Sequence, residues 1–295
     1  MITIIVNPVA GGARPGTVRR AEQASAVLAS ARAEGEVFVT ERKGHAHELA
    51  AGARARGVRF VVAWGGDGTV NEVASALAFG ETPLAIVPAG SGNGLATDLR
   101  ISRQPDRALA EALEAPPQAI DAGELGGRLF FVTAGVGFDA HVASCFDRDI
   151  PGRRGWSTYA RISLRELLAY RPSTYRVGDG TETRDRRALL VTLANASQFG
   201  NGFRIAPDAR LDDGLLDLVV FEEVSRFRTF CLLPRFLAGR AGGLRGLSTR
   251  QVVRATIESD RPMTFHVDGE PVEGGTRLEA RAHPAALKVC VRPLR

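Results

Sequence analysis

The feature that most constrains the fold is an alternation between residues 2 and 115, where short apolar runs are separated by segments with helical periodicity. The runs are "ITIIV", "EVFVT", "RFVVAW" and "PLAIVP". Short apolar runs that alternate with helices are typical of βαβ units, in which a parallel sheet is buried on both faces. The sequence therefore predicts an N-terminal Rossmann-like α/β domain with a parallel sheet.

The pattern changes beyond Pro116, where strand-like segments follow one another with few helices between them. Examples are "RLFFVTAGVG", "RALLVTLANAS", "LLDLVVFEE" and "ALKVCVRP". Runs of strands after runs of βα units indicate a second, mainly antiparallel domain. We expect an α/β domain over residues 1–122 and a β-rich domain over residues 123–284. Residues 285–295 form a tail that could pack back on the first domain.

Composition favours a globular chain without a membrane span. The 295 residues are 44% hydrophobic, and no apolar stretch reaches the length of about 18 residues that a spanning helix needs. The N-terminus lacks the basic region and long apolar stretch of a signal peptide. Cys145, Cys231 and Cys290 are too scattered for a disulfide framework. We expect a cytoplasmic protein whose cysteines are reduced and structural, and peripheral contact with the inner membrane face stays open.

Charge is distributed unevenly between the two predicted domains. Residues 1–122 carry a net charge of −1, and residues 123–295 carry +6. A basic surface can attract nucleic acid, anionic lipid or a polyphosphate substrate. Nucleic acid is not expected as a partner, because the chain has no zinc-ligand spacing, no RNP-like motif and no basic region joined to heptads.

Two segments of the basic half combine aromatic residues with arginines. They are "DIPGRRGWSTYARISLRELLAY", with Trp156 and Tyr159, and "SRFRTFCLLPRFLAGR". Each could be a helix that covers the core of the second domain, or an element that rests on anionic lipid. Both interpretations stay open, since different faces of one helix can serve both.

The stretch "VVAWGGDGTVNEV" places a glycine-rich turn between a predicted strand and a predicted helix. Such a turn lets backbone N–H groups approach a phosphate. The Walker A motif is absent, because neither Lys43 nor Lys288 follows a glycine, and the dinucleotide fingerprint fails because Asn71 replaces its last glycine. Asp67 would repel a triphosphate unless a divalent cation lay between them.

The loop therefore suits a nucleotide bound with Mg²⁺. Asp67 would act through the metal or directly on an attacking hydroxyl. The alternative is a structural role, in which the Asp67 carboxylate caps the helix through the N–H of Thr69 or Val70.

"GGDGTVNEV" resembles the signature of the diacylglycerol kinase catalytic domain superfamily, which includes bacterial lipid kinases, sphingosine kinases and ceramide kinases. GGDG also occurs in NAD kinases and phosphofructokinases. Further landmarks follow in the order of the superfamily, and they are Asn7-Pro8, Thr40 after "EVFV", "PAGSGNGLATDL", "NASQFGNGFRIAPDARLDDGLLDL" and "FHVDGEPV". Together they span the chain from Asn7 to Glu270.

The resemblance implies roles for individual residues. It implies Glu270 as the general base, with Asp67 and Asp268 as further catalytic residues. It implies a structural Mg²⁺ held by the Asp213 side chain and the backbone carbonyls of Arg210 and Leu215. The implied nucleotide contacts are Asn7, Thr40, Gly65, Gly66, Asp67, Gly68, Thr69, Val70, Asn71 and Ser91.

By the same resemblance, the α/β domain binds nucleotide and a β-sandwich-like domain binds lipid. The implied reaction is transfer of the γ-phosphoryl group of ATP, with Mg²⁺, to the hydroxyl of a diacylglycerol-like lipid presented at a membrane surface. The alternatives are a kinase of a soluble hydroxyl acceptor such as NAD, and a non-catalytic lipid or nucleotide sensor. A homodimer also stays open.

The identity of the lipid is left open by two conflicting features. "GSGN" is more similar to sphingosine and ceramide-type kinases than to many bacterial diacylglycerol kinases. A sphingoid-base kinase is expected to place an acidic residue for the amine a few positions beyond Gly137-Phe138, yet Asp139 leads there into the uncharged "AHVASCF".

Overall fold

The computed structural model divides the chain into two units, and each is described by itself. Unit 1 is Met1–Ile120 with Ala285–Arg295, and unit 2 is Asp121–Pro284. The described residues are 1–12, 17–149, 156–200, 203–223 and 246–293.

Unit 1 is built on a parallel sheet with strand order β2-β1-β3-β4. The strands are β1 (Ile2–Val6), β2 (Gly35–Val39), β3 (Val61–Gly65) and β4 (Leu84–Pro88). Every residue of β1, β3 and β4 is buried, because helices cover both faces of such a sheet. Near the C-terminus, Val289 adds a parallel pairing to Leu84.

Among the residues of unit 1 that the structure describes, five helices accompany these strands, after a short 3₁₀ turn at Ala10–Gly12. They are α1 (Thr17–Ser30), α2 (His45–Ala55), α3 (Asp67–Leu77), α4 (Gly94–Asp98) and α5 (Pro105–Glu114). Leu28, Phe60, Trp64 and Leu109 belong to the core between sheet and helices. The predicted α/β fold with a parallel sheet is confirmed, and its topology gathers the loops after β1, β3 and β4 at one edge.

Unit 2 consists mainly of antiparallel strands. They are β5 (Pro117–Leu125), β6 (Arg128–Phe130), β7 (Thr133–Gly137), β8 (Ser173–Gly178), β9 (Thr183–Ala194), β10 (Gln198–Gly200), β11 (Phe203–Arg204), β12 (Leu216–Glu222), β13 (Leu247–Val252), β14 (Arg254–Glu258), β15 (Thr264–Val267), β16 (Glu270–Glu273) and β17 (Arg277–Cys290). β5 begins and β17 ends in unit 1.

In the described part of unit 2, two helices accompany the strands, α6 (Phe138–Asp149) and α7 (Trp156–Ala169). The core includes Phe130, Val191 and Phe265. Burial alternates along the first part of β17, as expected for a strand with one face on the core. The mainly antiparallel second domain is thus confirmed.

Parts of the two aromatic and arginine-rich segments fall outside the described residues. Residues 224–245 do so, and with them Cys231 and the whole of "SRFRTFCLLPRFLAGR". Residues 150–155 do so as well, whereas the part from Trp156 forms α7. In the described part of the chain, no helix combines the length and the apolar character needed to cross a bilayer.

Candidate functional site

The first glycine loop of unit 1 leads directly from β3 into α3. Gly66 is the N-cap of α3 in an extended conformation, and no side chain caps the helix. The first N–H groups of a helix have no partner within the helix and carry partial positive charge. The loop therefore offers backbone donors that suit a phosphate.

A second glycine loop follows β4 and lies against the first. A Cβ atom on Gly90 would stand 2.6 Å from the Cα atom of Gly66, so only glycine permits this approach. Asn93 closes the loop from a buried, left-handed position (φ 56°). Its Oδ1 accepts from the Gly90 N–H at 2.8 Å, and its Nδ2 donates to the Gly90 carbonyl at 2.7 Å.

Asp67 joins the two loops. One carboxylate oxygen accepts from the Asn93 N–H at 2.8 Å and the other accepts from the Gly94 N–H at 2.6 Å. Burial raises the pKa of Asp67, and these two hydrogen bonds oppose that shift. The Asp67 carboxylate thus accepts hydrogen bonds from backbone N–H groups at the N-terminus of α4.

The interpretation of Asp67 as a cap of its own helix through Thr69 or Val70 is wrong. Its two carboxylate oxygens accept from Asn93 and Gly94, and the Val70 N–H donates to the Gly66 carbonyl. The reason is the sheet order. Because β4 lies beside β3, the loop after β4 places the N–H groups of Asn93 and Gly94 next to the Asp67 carboxylate.

Asn7 fixes the first turn of α3 from the end of β1. Its Nδ2 donates to Thr69 Oγ1 at 2.8 Å, and Thr69 is buried. Arg20, which sequence reasoning missed, donates to the carbonyls of Asn7 and Ala10 at 2.9 Å each. The predicted nucleotide contacts Asn7 and the loop from Gly65 to Asn71 are therefore next to each other in the structure.

The remaining nucleotide candidates lie at neighbouring strand ends. The Thr40 N–H donates to the Val6 carbonyl at 2.9 Å, immediately after β2. Ser91 is exposed in the second glycine loop. Glu72 on α3, also missed from sequence, accepts from the N–H groups of Gly44 and Ala46 at 2.8 and 3.1 Å, which ties the start of α2 to α3.

In unit 2, Glu270 is placed by a tight hairpin between β15 and β16. Asp268 and Gly269 form the turn with left-handed φ angles of 48° and 82°, as a two-residue hairpin turn with positive φ at both positions requires. Glu270 pairs with Val267 across the hairpin and is partly exposed. Its carboxylate is therefore attached to a rigid element while solvent or substrate can reach it.

Asp268 anchors that turn to the start of β7. Its carboxylate accepts three backbone hydrogen bonds, from Phe131 at 3.0 Å, Val132 at 2.9 Å and Thr133 at 3.1 Å. The Asp268 N–H also donates to the Thr133 carbonyl at 2.8 Å. These contacts give the predicted catalytic aspartate a positioning role in unit 2.

A buried polar network lies behind the hairpin. His266 Nε2 is 3.1 Å from Asp139 Oδ2, which also accepts from Thr192 Oγ1 at 2.6 Å. His266 Nδ1 accepts from the Gly269 N–H at 3.4 Å, next to Glu270. Sequence reasoning missed His266, and the only signal was a polar residue within the apolar run "TFHV".

The predicted metal loop precedes β12 and turns at Gly214 (φ 75°). Asp213 accepts from the Leu215 N–H at 3.0 Å, and buried Asp121 accepts from the Gly214 N–H at 2.6 Å. Burial, with nearby Asp213 and Asp208, raises the pKa of Asp217 to about 6. Carboxylate oxygens are the hard donors that Mg²⁺ or Ca²⁺ prefers, but the described carboxylates at this turn do not form a group of three with converging oxygens.

The chain combines an α/β unit that carries paired glycine loops with a β-rich unit that carries a carboxylate on a hairpin. This combination fits a two-domain kinase, and the comparisons with known proteins lead to that class. The family model described as "Diacylglycerol kinase catalytic domain" matches residues 1–125. The model described as "YegS C-terminal NAD kinase beta sandwich-like domain" matches residues 132–291.

Curated relatives agree with both family models. A protein of Chromohalobacter salexigens named "Probable lipid kinase YegS-like" is 33% identical over 80% of this chain and 77% of its own. A protein of Pseudomonas aeruginosa with the same name is 33% identical over 91% of this chain and 89% of its own. The chain belongs to the YegS-like lipid kinase family, with a diacylglycerol kinase catalytic domain, and the predicted resemblance is confirmed.

A solved structure supports the fold over the whole chain. The crystal structure of a diacylglycerol kinase from Bacillus anthracis strain Sterne superposes with a TM-score of 0.74 at 18% identity, covering 99% of this chain and 97% of the other. At that identity the likeness concerns the fold. Together with the second family model, it confirms the predicted β-sandwich-like C-terminal domain.

Proposed function

We propose that this kinase transfers the γ-phosphoryl group of ATP, with Mg²⁺, to the hydroxyl group of an uncharged, diacylglycerol-like lipid. The observation that carries the proposal is the pair of glycine loops joined by Asp67. Gly66 and Gly90 approach so closely that a Cβ atom would fill the space between them. Backbone donors at such a place fit the phosphates of a nucleotide.

The nucleotide would be held mainly by backbone groups of the first glycine loop, residues 65–71. Asn7, Thr40 and Ser91 would complete the contacts from the neighbouring strand ends. When bound, Mg²⁺ supplies charge neutralisation to the phosphates of the donor. Asp67 would hold the two loops together through its hydrogen bonds to Asn93 and Gly94. Each carboxylate oxygen has a second lone pair, so Asp67 could contact Mg²⁺ while it keeps these hydrogen bonds.

Glu270 would act as the general base. It would accept the proton of the lipid hydroxyl at a carboxylate oxygen as the hydroxyl oxygen forms its bond to the γ-phosphorus. The bond from the γ-phosphorus to the β–γ bridging oxygen breaks in the same step, and ADP is the leaving group. Phosphoryl transfer depends mostly on positioning and charge stabilisation. The hydrogen bonds of Asp268 and His266 to the hairpin and its surroundings supply that positioning.

A second Mg²⁺ would have a structural role in unit 2. The Asp213 side chain and the carbonyls of Arg210 and Leu215 would hold it, and oxygen donors of this kind suit Mg²⁺. The ion would stabilise the turn before β12.

Asp139 favours an uncharged acceptor over a sphingoid base. Its carboxylate is buried, with 3% of the side chain exposed, and it is engaged by Thr192 and His266. The Asp139 carboxylate therefore bonds to groups inside unit 2 and would not bind a substrate amine. We further propose that the lipid is taken from the inner face of the membrane by peripheral contact, to which the basic second unit contributes.

The test is an acceptor screen with purified protein, labelled ATP and Mg²⁺. Separate mixed micelles would contain diacylglycerol, sphingosine, ceramide, phosphatidylglycerol or no lipid, and NAD⁺ would be offered in solution. Label in the diacylglycerol product is expected. Label in sphingosine phosphate or in NADP⁺ would contradict the proposed acceptor, and ATP binding without transfer to any acceptor would favour a sensor.

A further inference from the structure

Three metal-ligating side chains outside the kinase site converge in unit 2. His141 Nε2 lies 2.9 Å from Glu166 Oε2 and 3.6 Å from Cys145 Sγ. These donor atoms all lie within 4.8 Å of one another. His141 and Cys145 come from α6, and Glu166 comes from α7.

The backbone explains why the three side chains meet. His141 and Cys145 are four residues apart in α6, and residues at that spacing occupy one face of a helix. α6 packs against α7, which brings Glu166 to that face. Arg165 donates to the other oxygen of Glu166, Oε1, at 2.9 Å, and this holds Oε2 toward His141.

Two of the three donor separations can be compared with those around a tetrahedral ion. Zinc binds sulfur, nitrogen and oxygen donors at about 2.0 to 2.3 Å, so donor atoms on its tetrahedron lie about 3.3 to 3.8 Å apart. The His141 to Cys145 separation is 3.6 Å, and the His141 to Glu166 separation of 2.9 Å needs to widen by only a few tenths of an ångström. A small adjustment of side chains would suffice.

A catalytic Cys-His-Glu triad does not explain the same geometry. In a triad, one ring nitrogen of the histidine faces the nucleophile and the other faces the carboxylate. Here the thiol and the carboxylate both approach Nε2 of His141. Three donor atoms that all lie within 4.8 Å of one another can instead share one metal ion.

The donor set also selects the kind of metal. Thiolate and imidazole favour zinc and similar borderline ions, whereas Mg²⁺ prefers oxygen ligands throughout. Cys145 is buried, while the His141 side chain is 39% exposed, so an ion can enter from the solvent side. Three protein ligands with a solvent-accessible side leave the fourth position to water.

We propose that His141, Cys145 and Glu166 form a binding site for Zn²⁺ that clamps α6 to α7. None of its three ligands is among the residues proposed to bind ATP or Mg²⁺ or to act on the lipid hydroxyl. Because α6 also packs against β15 and β16, occupancy of the site would steady the hairpin that carries Glu270. Binding to the folded state would raise the melting temperature in proportion to the logarithm of the free zinc concentration.

The experiment uses the full chain, reduced and freed of metals by a chelator, with Co²⁺ as a spectroscopic probe of the site. One equivalent of Co²⁺ should give a thiolate-to-metal charge-transfer band together with the visible bands of tetrahedral cobalt. Zn²⁺ should displace the probe, and a large excess of Mg²⁺ should not. Cys145→Ser should abolish the charge-transfer band, whereas Cys290→Ser and Cys231→Ser should keep it.

The partly exposed ligands provide variants that do not depend on a buried thiol. His141→Gln and Glu166→Gln should each weaken Co²⁺ binding by at least about tenfold, and circular dichroism would establish that each variant is folded. A charge-transfer band that survives Cys145→Ser would overturn the proposal. So would wild-type protein that binds no Co²⁺ at micromolar concentration, or a Co²⁺ affinity unchanged in both glutamine variants.

Discussion

Each unit contains an Asp-Gly pair whose carboxylate accepts backbone hydrogen bonds from a segment that is distant in the sequence. Asp67 begins α3 and accepts hydrogen bonds from two backbone amides of the second glycine loop. Asp268 begins a hairpin turn and accepts from three backbone amides at the start of β7. Both carboxylates hold a distant segment, and in both cases a glycine follows.

The difference between the two pairs lies in what each one positions. Asp67 aligns backbone N–H groups that suit a phosphate, so its neighbours are themselves the binding groups. Asp268 aligns a turn whose next side chain, Glu270, is the proposed base. Aspartate in such a motif can therefore organise a site, while the proposed proton transfer is assigned to a different carboxylate, that of Glu270.

The largest loss is expected for Glu270→Gln. The amide is nearly isosteric but cannot accept the hydroxyl proton, so kcat should fall by about 10²- to 10⁴-fold while ATP affinity stays unchanged. Steady-state kinetics with the lipid acceptor and calorimetric titration with ATP would measure these two quantities. Glu273→Gln at the other end of β16 is the matched control and should keep wild-type turnover. Equal losses in both variants would remove Glu270 from the chemistry.

Asp67→Asn should have the next largest effect. An amide group offers one acceptor in place of two, so the N–H of Asn93 or of Gly94 would face a donor and the loops would separate. We expect ATP affinity to fall, and the free energy of unfolding to drop by about 1 to 3 kcal/mol. Calorimetric titration and urea denaturation would measure both effects, with Asp106→Asn on the exposed start of α5 as control. An ATP affinity equal to that of the wild type would contradict the loop-joining role.

Asp268→Asn should lower the turnover number without changing the affinity for ATP. One oxygen can still accept from Val132 and Thr133, while the Phe131 N–H loses its acceptor. We expect kcat to fall by about tenfold and ATP affinity to remain, since only the hairpin is disturbed. Kinetic measurement of kcat alongside the ATP dissociation constant separates these effects. Loss of ATP affinity in this variant would erase the distinction between the two aspartates.

His266→Gln should give the smallest loss, a fall of a few-fold in kcat. The glutamine removes the ring that links Asp139 to the Gly269 N–H and so loosens the turn beside Glu270. If the two residues act as one network, the effects of His266→Gln and Asp139→Asn should be non-additive in a double-mutant cycle. Additive effects would show that the network does not support the hairpin as a unit.

Periodicity was sufficient to predict the layers of the fold. The apolar runs from "ITIIV" to "PLAIVP" became a parallel sheet, and the later runs became antiparallel strands, because burial on a face is written locally into the sequence. The two glycine loops and the Asp-Gly-Glu motif at residues 268–270 could also be identified from the sequence. The family assignment that followed from them is confirmed.

Hydrogen-bond partners could not be predicted in the same way. Asp67 binds amides that lie 26 and 27 residues further along the chain, and Asp268 binds an amide 137 residues away. Such pairings depend on sheet order and on turn geometry, and no local pattern encodes them. The local capping rule therefore misassigned Asp67, and His266 looked like an ordinary member of a strand.

The most direct test of the nucleotide site is a crystal structure of the wild-type protein with Mg²⁺ and a non-hydrolysable ATP analogue. We predict that the triphosphate lies on the backbone of residues 65–71 while both Asp67 oxygens keep their hydrogen bonds to Asn93 and Gly94. A triphosphate bound elsewhere, or an Asp67 carboxylate that leaves those two amides to coordinate the metal, would contradict the account.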